Sequence, residues 1–266
     1  MNKKELSNLL LIFLILTILN FLLWSNARNR KKEGTSSVQT EKSFALPEVN
    51  KQKDLKYETA SLDTPLLQVI FSNIGGTITS IKLKKYFQPD RKNFVELIPH
   101  AEKPTLSFWL KGKENLAGVP FNIQTDPKTL SATLTFSDRT TSITKKFKLY
   151  PNSYLIDSEV SGNFDSPEGY FSWEPGLDEK TISQDQPLPP ENEALIYKDS
   201  LLSRIRNRSS DSVKGINWAG MSNRYFLISL IPQNFTADAF VEKKAPNNYL
   251  ALVMHTPTKE KNNLLK

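Results

Sequence analysis

The chain has no cysteine in 266 residues. Disulfides, cysteine-ligated zinc and thiol nucleophiles are therefore all excluded. Histidine is nearly as scarce, with only His100 and His255. A Ser-His-Asp triad needs a positioned imidazole, and His100 follows Pro99 at an expected strand end. His255 has Asp238 and Glu242 near it in sequence, with no sign that they converge. No His, Asp or Glu grouping has metal-ligand spacing, and no glycine-rich phosphate loop is present. The expectation is a protein without catalytic residues, metal or cofactor.

Long apolar runs are also rare, and the one present organises the chain. Leu6 to Trp24 has no charged residue. As a helix it would extend roughly 28 Å, close to the hydrocarbon thickness of a bilayer. Ser7, Asn8, Thr17 and Asn20 make it a marginal span, and Trp24 sits where an interfacial aromatic belongs. A cleaved signal peptide is the competing reading, with Lys3 and Lys4 as a basic n-region and Ser25-Asn26-Ala27 as a small-x-small site. The run is longer than a usual h-region, so an uncleaved anchor is expected. The organisation that follows is a short tail (1–5), a transmembrane helix (6–24), a polar tether (25–61) and a globular domain (62–266).

Charge is only modestly unbalanced, at +7 overall. Residues 1–60 hold ten Lys and Arg against six Asp and Glu, and the remainder holds 25 against 22. The excess lies mainly beside the apolar run, where it favours anionic lipid headgroups. Nucleic acid is not an expected partner. Arg28, Arg30, Lys31 and Lys32 outnumber Lys3 and Lys4, which by local counting would leave the domain in the cytoplasm. Long domains, however, translocate largely regardless of such charges.

From Leu62 onward the hydrophobic pattern has a period of two. Candidate strands are Leu66 to Phe71, Thr77 to Leu83, Phe94 to Ile98, Thr105 to Leu110, Ala132 to Phe136 and Tyr154 to Val160. Between the last two, Ile143, Lys145, Phe147 and Leu149 share one face, and Thr144, Lys146 and Lys148 share the other. Asp178 to Glu193, with three prolines, reads as a surface loop. Strands resume at Tyr225 to Ile231 and Tyr249 to Met254. Short strands separated by Gly, Pro, Asn and Asp indicate an all-β antiparallel sandwich. Tyr225 to Ile231 is apolar on both faces, which predicts a central strand covered by two layers. Trp218, bracketed by Gly215 and Gly220, is expected in the core.

An N-terminal anchor with a polar tether, the stretch NIGGTITSIKLKKY (Asn73–Tyr86) and the stretch GINWAGMSNRYFLISLIP (Gly215–Pro232) together resemble the YidC membrane-protein insertase family. The matching positions are Gly75, Gly76, Ile78, Leu83 and Tyr86 in the first stretch. In the second they are Trp218, Tyr225, Phe226, Ile231 and Pro232. The resemblance implies a periplasmic β-supersandwich, related in fold to sugar mutarotases, behind a helix in the bacterial inner membrane with the N-terminus cytoplasmic. It implies membrane lipids, nascent membrane-protein clients and Sec translocon components as partners. The family continues into a helical insertase core, and nothing after Met254 resembles it. The chain is thus expected to be the N-terminal portion of an insertase and chaperone, either a fragment or a split gene product. A bitopic envelope protein whose β-sandwich binds lipid or glycan is the alternative.

Arg204, Arg206 and Arg208 alternate, so in a strand they would form a one-sided basic stripe. Such a stripe can contact phosphates or simply guard a sheet edge against aggregation, and the latter is the expectation. Phe108, Trp109, Phe171, Trp173, Trp218, Tyr225 and Phe226 are expected as sandwich core rather than as a ligand cleft.

Overall fold

The computed structural model describes residues 56–98, 105–163, 168–173, 193–205, 210–223, 225–244, 249–257 and 263–265. The membrane span expected over 6–24, the tether up to residue 55, His100, the loop over 178–192, Arg206 and Arg208 lie outside these residues. Among the described residues no helix is long and apolar enough to cross a membrane.

β1 (Thr59–Asp63), β2 (Leu67–Ser72) and β3 (Thr77–Phe87) form a meander, β4 (Phe94–Glu96) folds back on β3, and β5 (Thr105–Leu110) follows. A short 3-10 segment at Glu114–Gly118 leads to β6 (Asn122–Asp126), β7 (Ser131–Ser137), β8 (Ser142–Leu149) and β9 (Ile156–Asn163). Then come β10 (Glu168–Trp173), β11 (Glu193–Lys198), β12 (Leu201–Ile205), β13 (Ser210–Ile216) and β14 (Trp218–Ser222). β15 (Leu227–Leu230), β16 (Ala237–Lys244), β17 (Tyr249–Pro257) and β18 (Asn263–Leu265) complete the set.

These strands make three antiparallel sheets. The large one runs β1-β2-β3-β5-β10-β17-β16-β13 with β4 beside β3, the second β12-β11-β14-β15, and the third β18-β9-β8-β7-β6. The third packs on the first half of the large sheet, with Phe147 of β8 against Phe71 of β2 at 5.2 Å between ring centroids. The second touches the other half, through β11 and β14 against β17 and β11 against β13. The fold is therefore the expected all-β antiparallel sandwich.

Alternation explains the layers. In β8, Ile143, Lys145, Phe147 and Leu149 are buried while Lys146 and Lys148 are exposed. Each buried Phe or Leu side chain contributes on the order of 1.5–3 kcal/mol, so a one-residue slip would expose the whole set. Phe108, Trp109 and Trp173 are also buried, as expected, and Phe171 is half-buried.

Two expectations require correction. Tyr225 to Ile231 is not a central strand. β15 begins only at Leu227 and forms the edge of the second sheet beside β14. The Asn223 carboxamide oxygen accepts the N–H groups of Tyr225 (2.9 Å) and Phe226 (2.8 Å), which closes a turn and delays the strand. Trp218 is half-buried rather than core, and its indole stacks on Tyr197 across the β11–β14 pair at 5.7 Å and 18°. In addition, β1 starts ahead of Leu62. Asn73, buried at the β2–β3 turn, holds this entering segment, its Oδ1 accepting from Glu58 N (2.9 Å) and its Nδ2 donating to Lys56 O (2.8 Å).

Candidate interaction surface

The two sequence stretches that carried the resemblance meet in space, although 128 residues (87–214) separate them. Tyr86, at the end of β3, presents its ring edge-on to Phe226 in the β14–β15 turn, at 5.5 Å. Tyr154, in the β8–β9 turn, lies 6.3 Å from Tyr86. Tyr225 and Phe226 are 6.5 Å apart. All three sheets thus contribute to one aromatic cluster at the same end of the sandwich. Tyr86, Phe87, Tyr154, Leu155, Tyr225 and Leu227 are between 45% and 59% exposed. Partial desolvation, and then the neighbouring Tyr86 phenol, raises the Tyr154 pKa above its ordinary value. Beside the cluster, Phe87 packs on Phe94 at 5.2 Å and, with Gln88, Pro89 and Arg91, lines a depression of about 480 Å³.

The other half of the first stretch has a different role. Gly75 and Gly76 make the β2–β3 turn with φ of 65° and 57°, in the left-handed region that glycine occupies without penalty. Their carbonyls point inward. The fully buried Lys145 ammonium donates to Gly75 O and Gly76 O, both at 2.9 Å, and to Leu106 O at 3.3 Å. It also lies 5.6 Å from the Phe121 ring centroid. Leu106 itself has φ of 55°, at the point where β5 shifts register against β10. This bulge and the glycine turn together surround the ammonium with carbonyl oxygens. Burial pushes the Lys145 pKa down to about 7.

The remaining sequence-selected residues divide by environment. Ile78 and Leu83 are core. Ile231 is exposed, and Pro232 is half-buried just after β15. Arg204 on β12 donates from Nη1 to Oε1 of the buried Glu193 at 2.6 Å. That cation is therefore engaged within the domain. The Cα of His255 on β17 pairs with those of Tyr170 and Asp238. Among the described residues no group of three or more His, Asp or Glu is placed to hold a metal. Reading the sequence alone missed the roles of Phe87, Tyr154, Leu155 and Lys145. The only signal for Lys145 was its place on the apolar face of β8.

The half-buried position of Trp218 sets the expected size of its contribution. Trp218→Ala should lower stability by about 1–2 kcal/mol, from a stacked ring pair and partial burial. A fully buried aromatic would lose about 3–5 kcal/mol. Urea melts of wild type and variant measure this, and a loss in the higher range would return Trp218 to the core.

The YidC periplasmic domain family matches residues 59–260. A membrane protein insertase YidC of Syntrophus aciditrophicus is 22% identical over 248 residues, covering 84% of this chain and 44% of the relative. One from Chlorobium luteolum is 25% identical over 229 residues, covering 75% and 39%. The chain thus spans less than half the length of these curated relatives. Among solved structures, a galactose mutarotase related enzyme from Lactobacillus acidophilus is 13% identical, covering 79% of this chain and 93% of that chain with a TM-score of 0.45. A galactose mutarotase-like protein from Lactobacillus casei is 9% identical, covering 74% and 87% with a TM-score of 0.46. On the match over residues 59–260, the chain belongs to the YidC periplasmic domain family.

Proposed function

We propose that this chain is the N-terminal part of a membrane-protein insertase and chaperone of the bacterial inner membrane, with its N-terminus cytoplasmic and its β-sandwich in the periplasm. The sandwich recognises and positions; it carries out no covalent chemistry. The family match over residues 59–260 is the observation that carries this reading. The solvent-facing aromatic cluster supports it, since exposed apolar patches of this kind mark interaction sites. Clients would be nascent membrane proteins, with Sec translocon components as further partners.

Transplantation is the test. The chain is joined ahead of the helical portion of the Chlorobium luteolum relative, in place of that protein's own N-terminal part, with an alkaline phosphatase reporter within the domain as a topology check. The hybrid should restore more correctly inserted client than the helical portion alone, with an active reporter. Equal insertion with and without the chain, or an inactive reporter, would sink the reading.

A further inference from the structure

We propose that the aromatic end of the sandwich docks on the lipid headgroup region of the membrane that tethers the chain. The proposal rests on the membrane-anchored reading above and adds which surface faces the bilayer. Three observations carry it.

The first is the chemistry of the surface. Tyr and aromatic side chains with one polar and one apolar end favour the membrane–water interface. Tyr86, Tyr154 and Tyr225 are of this type, and Phe87, Leu155 and Leu227 supply exposed apolar area beside them. They come from three separate turns and strand ends, so the cluster is a surface of the folded domain rather than one loose loop.

The second is charge. Lys85, Arg91 and Lys92 are exposed at the same end, adjoining Tyr86 and Phe87 in sequence. Lys84 is partly engaged with Asp63, at 3.2 Å. Asp90 is the one acidic residue between Lys84 and Asn93, and it accepts hydrogen bonds from Lys92 N and from Asn93 N and Nδ2. Cations beside interfacial aromatics fit an anionic headgroup layer.

The third is reach. Residues 56–58 enter the domain beside Asn73, at the opposite end of β3 from Tyr86. β3 has 11 residues, so the cluster lies about 35 Å from that entry. Residues 25–55 number 31, a contour of about 100 Å at full extension. That contour exceeds the distance from the entry to the cluster, so chain length allows the cluster to face lipid. Tethering also holds the surface at high effective concentration over the bilayer, so weak contacts suffice.

The absence of native cysteine makes the test direct. Full-length chains carrying Leu155→Cys or Arg139→Cys are labelled with an environment-sensitive fluorophore and reconstituted in vesicles of zwitterionic lipid, with or without anionic lipid. Leu155 is in the cluster, whereas Arg139 is in the β7–β8 turn at the far end of β8. Flotation resistant to carbonate reports the anchor. In floated protein, the Leu155 label should react with an aqueous quencher about tenfold more slowly in anionic vesicles than in high salt, as for a surface docked about nine-tenths of the time. The Arg139 label should remain accessible throughout. Lys85→Glu with Arg91→Glu should abolish the protection. An accessible Leu155 label in floated chain overturns the docking while leaving the anchor standing. Protection seen only in native membranes, and not in pure lipid, overturns it in favour of a protein partner. A chain that does not float removes the tether, and the proposal with it.

Discussion

Replacing Lys145 by methionine is expected to change the pH dependence of stability more than its value at neutral pH. The Lys145 side chain is fully buried, and its partners among the described residues are the carbonyls of Gly75, Gly76 and Leu106. Two opposed effects act there. Desolvation disfavours the ammonium and moves its pKa from 10.5 down to about 7. The three carbonyls need the three donors that only the charged form supplies. Since the pKa falls, desolvation outweighs the hydrogen bonds.

The native pKa lies below the unfolded one, so between about pH 7 and 10.5 the unfolded chain binds more protons than the native protein. Stability therefore rises with pH through that window and is unaffected by this group below it. The slope approaches about 1.4 kcal/mol per pH unit at its steepest. Lys145→Met has no such slope, and it leaves three inward carbonyls without their donor, at about 1–3 kcal/mol each if they stay dry. Near pH 6 the relief of charge burial offsets much of that loss. By pH 9 most of the relief has gone. The gap between wild type and variant should widen by about 3 kcal/mol over that range. Urea melts of the Ala45–Lys266 unit at both pH values measure it, and parallel pH profiles would show that the ammonium is not held against its preference.

How much of this was legible in the sequence differs by scale. Alternation along β8 put Lys145 on the apolar face beside Ile143 and Phe147, and it is buried there. What it bonds was not legible, because the acceptors lie 70, 69 and 39 residues away. Thr105–Leu110 was read with its observed bounds, since Gly and Pro punctuate it on either side. The first three residues of β1, Thr59–Ser61, were assigned to the tether, because the sequence TASLD holds a single large apolar residue. Its order depends on the Asn73 side chain, a contact no local pattern encodes. The misreading of Tyr225 to Ile231 has the same root. Apolar residues on both faces mean two covered faces in a central strand, but here one end of the run belongs to an exposed surface built with Tyr86 and Tyr154. The motif residues were visible in sequence as two separate stretches; that they form one surface is a property of the sheet order.

Gly75→Ala should be among the most damaging single-methyl additions in the domain, and two other glycines show why. All three have positive φ, so each would force an L-residue into the left-handed region at a cost of roughly 1–2 kcal/mol. They differ in what the new methyl would meet. At Gly112 nothing lies within 4 Å, so backbone strain is the whole effect. At Gly76 the methyl would sit 3.1 Å from the Phe121 ring and 3.3 Å from Cδ of Lys145, side-chain atoms that can shift by a few tenths of an ångström. At Gly75 it would lie 2.3 Å from the Ala117 carbonyl oxygen and 3.0 Å from its carbon. Those are backbone atoms, and the turn is fixed to the same segment by Gly75 N donating to Val119 O at 2.8 Å. Relieving the clash means moving that bond, and with it the Gly75 carbonyl that holds Lys145. Overpacking adds about 1–3 kcal/mol to the strain, giving roughly 3 kcal/mol or more at Gly75, an intermediate loss at Gly76 and about 1 kcal/mol at Gly112. Urea midpoints of the three variants test the ranking. Equal losses at Gly75 and Gly112 would mean that the turn yields freely, and that the close approach of Ala117 does not hold it.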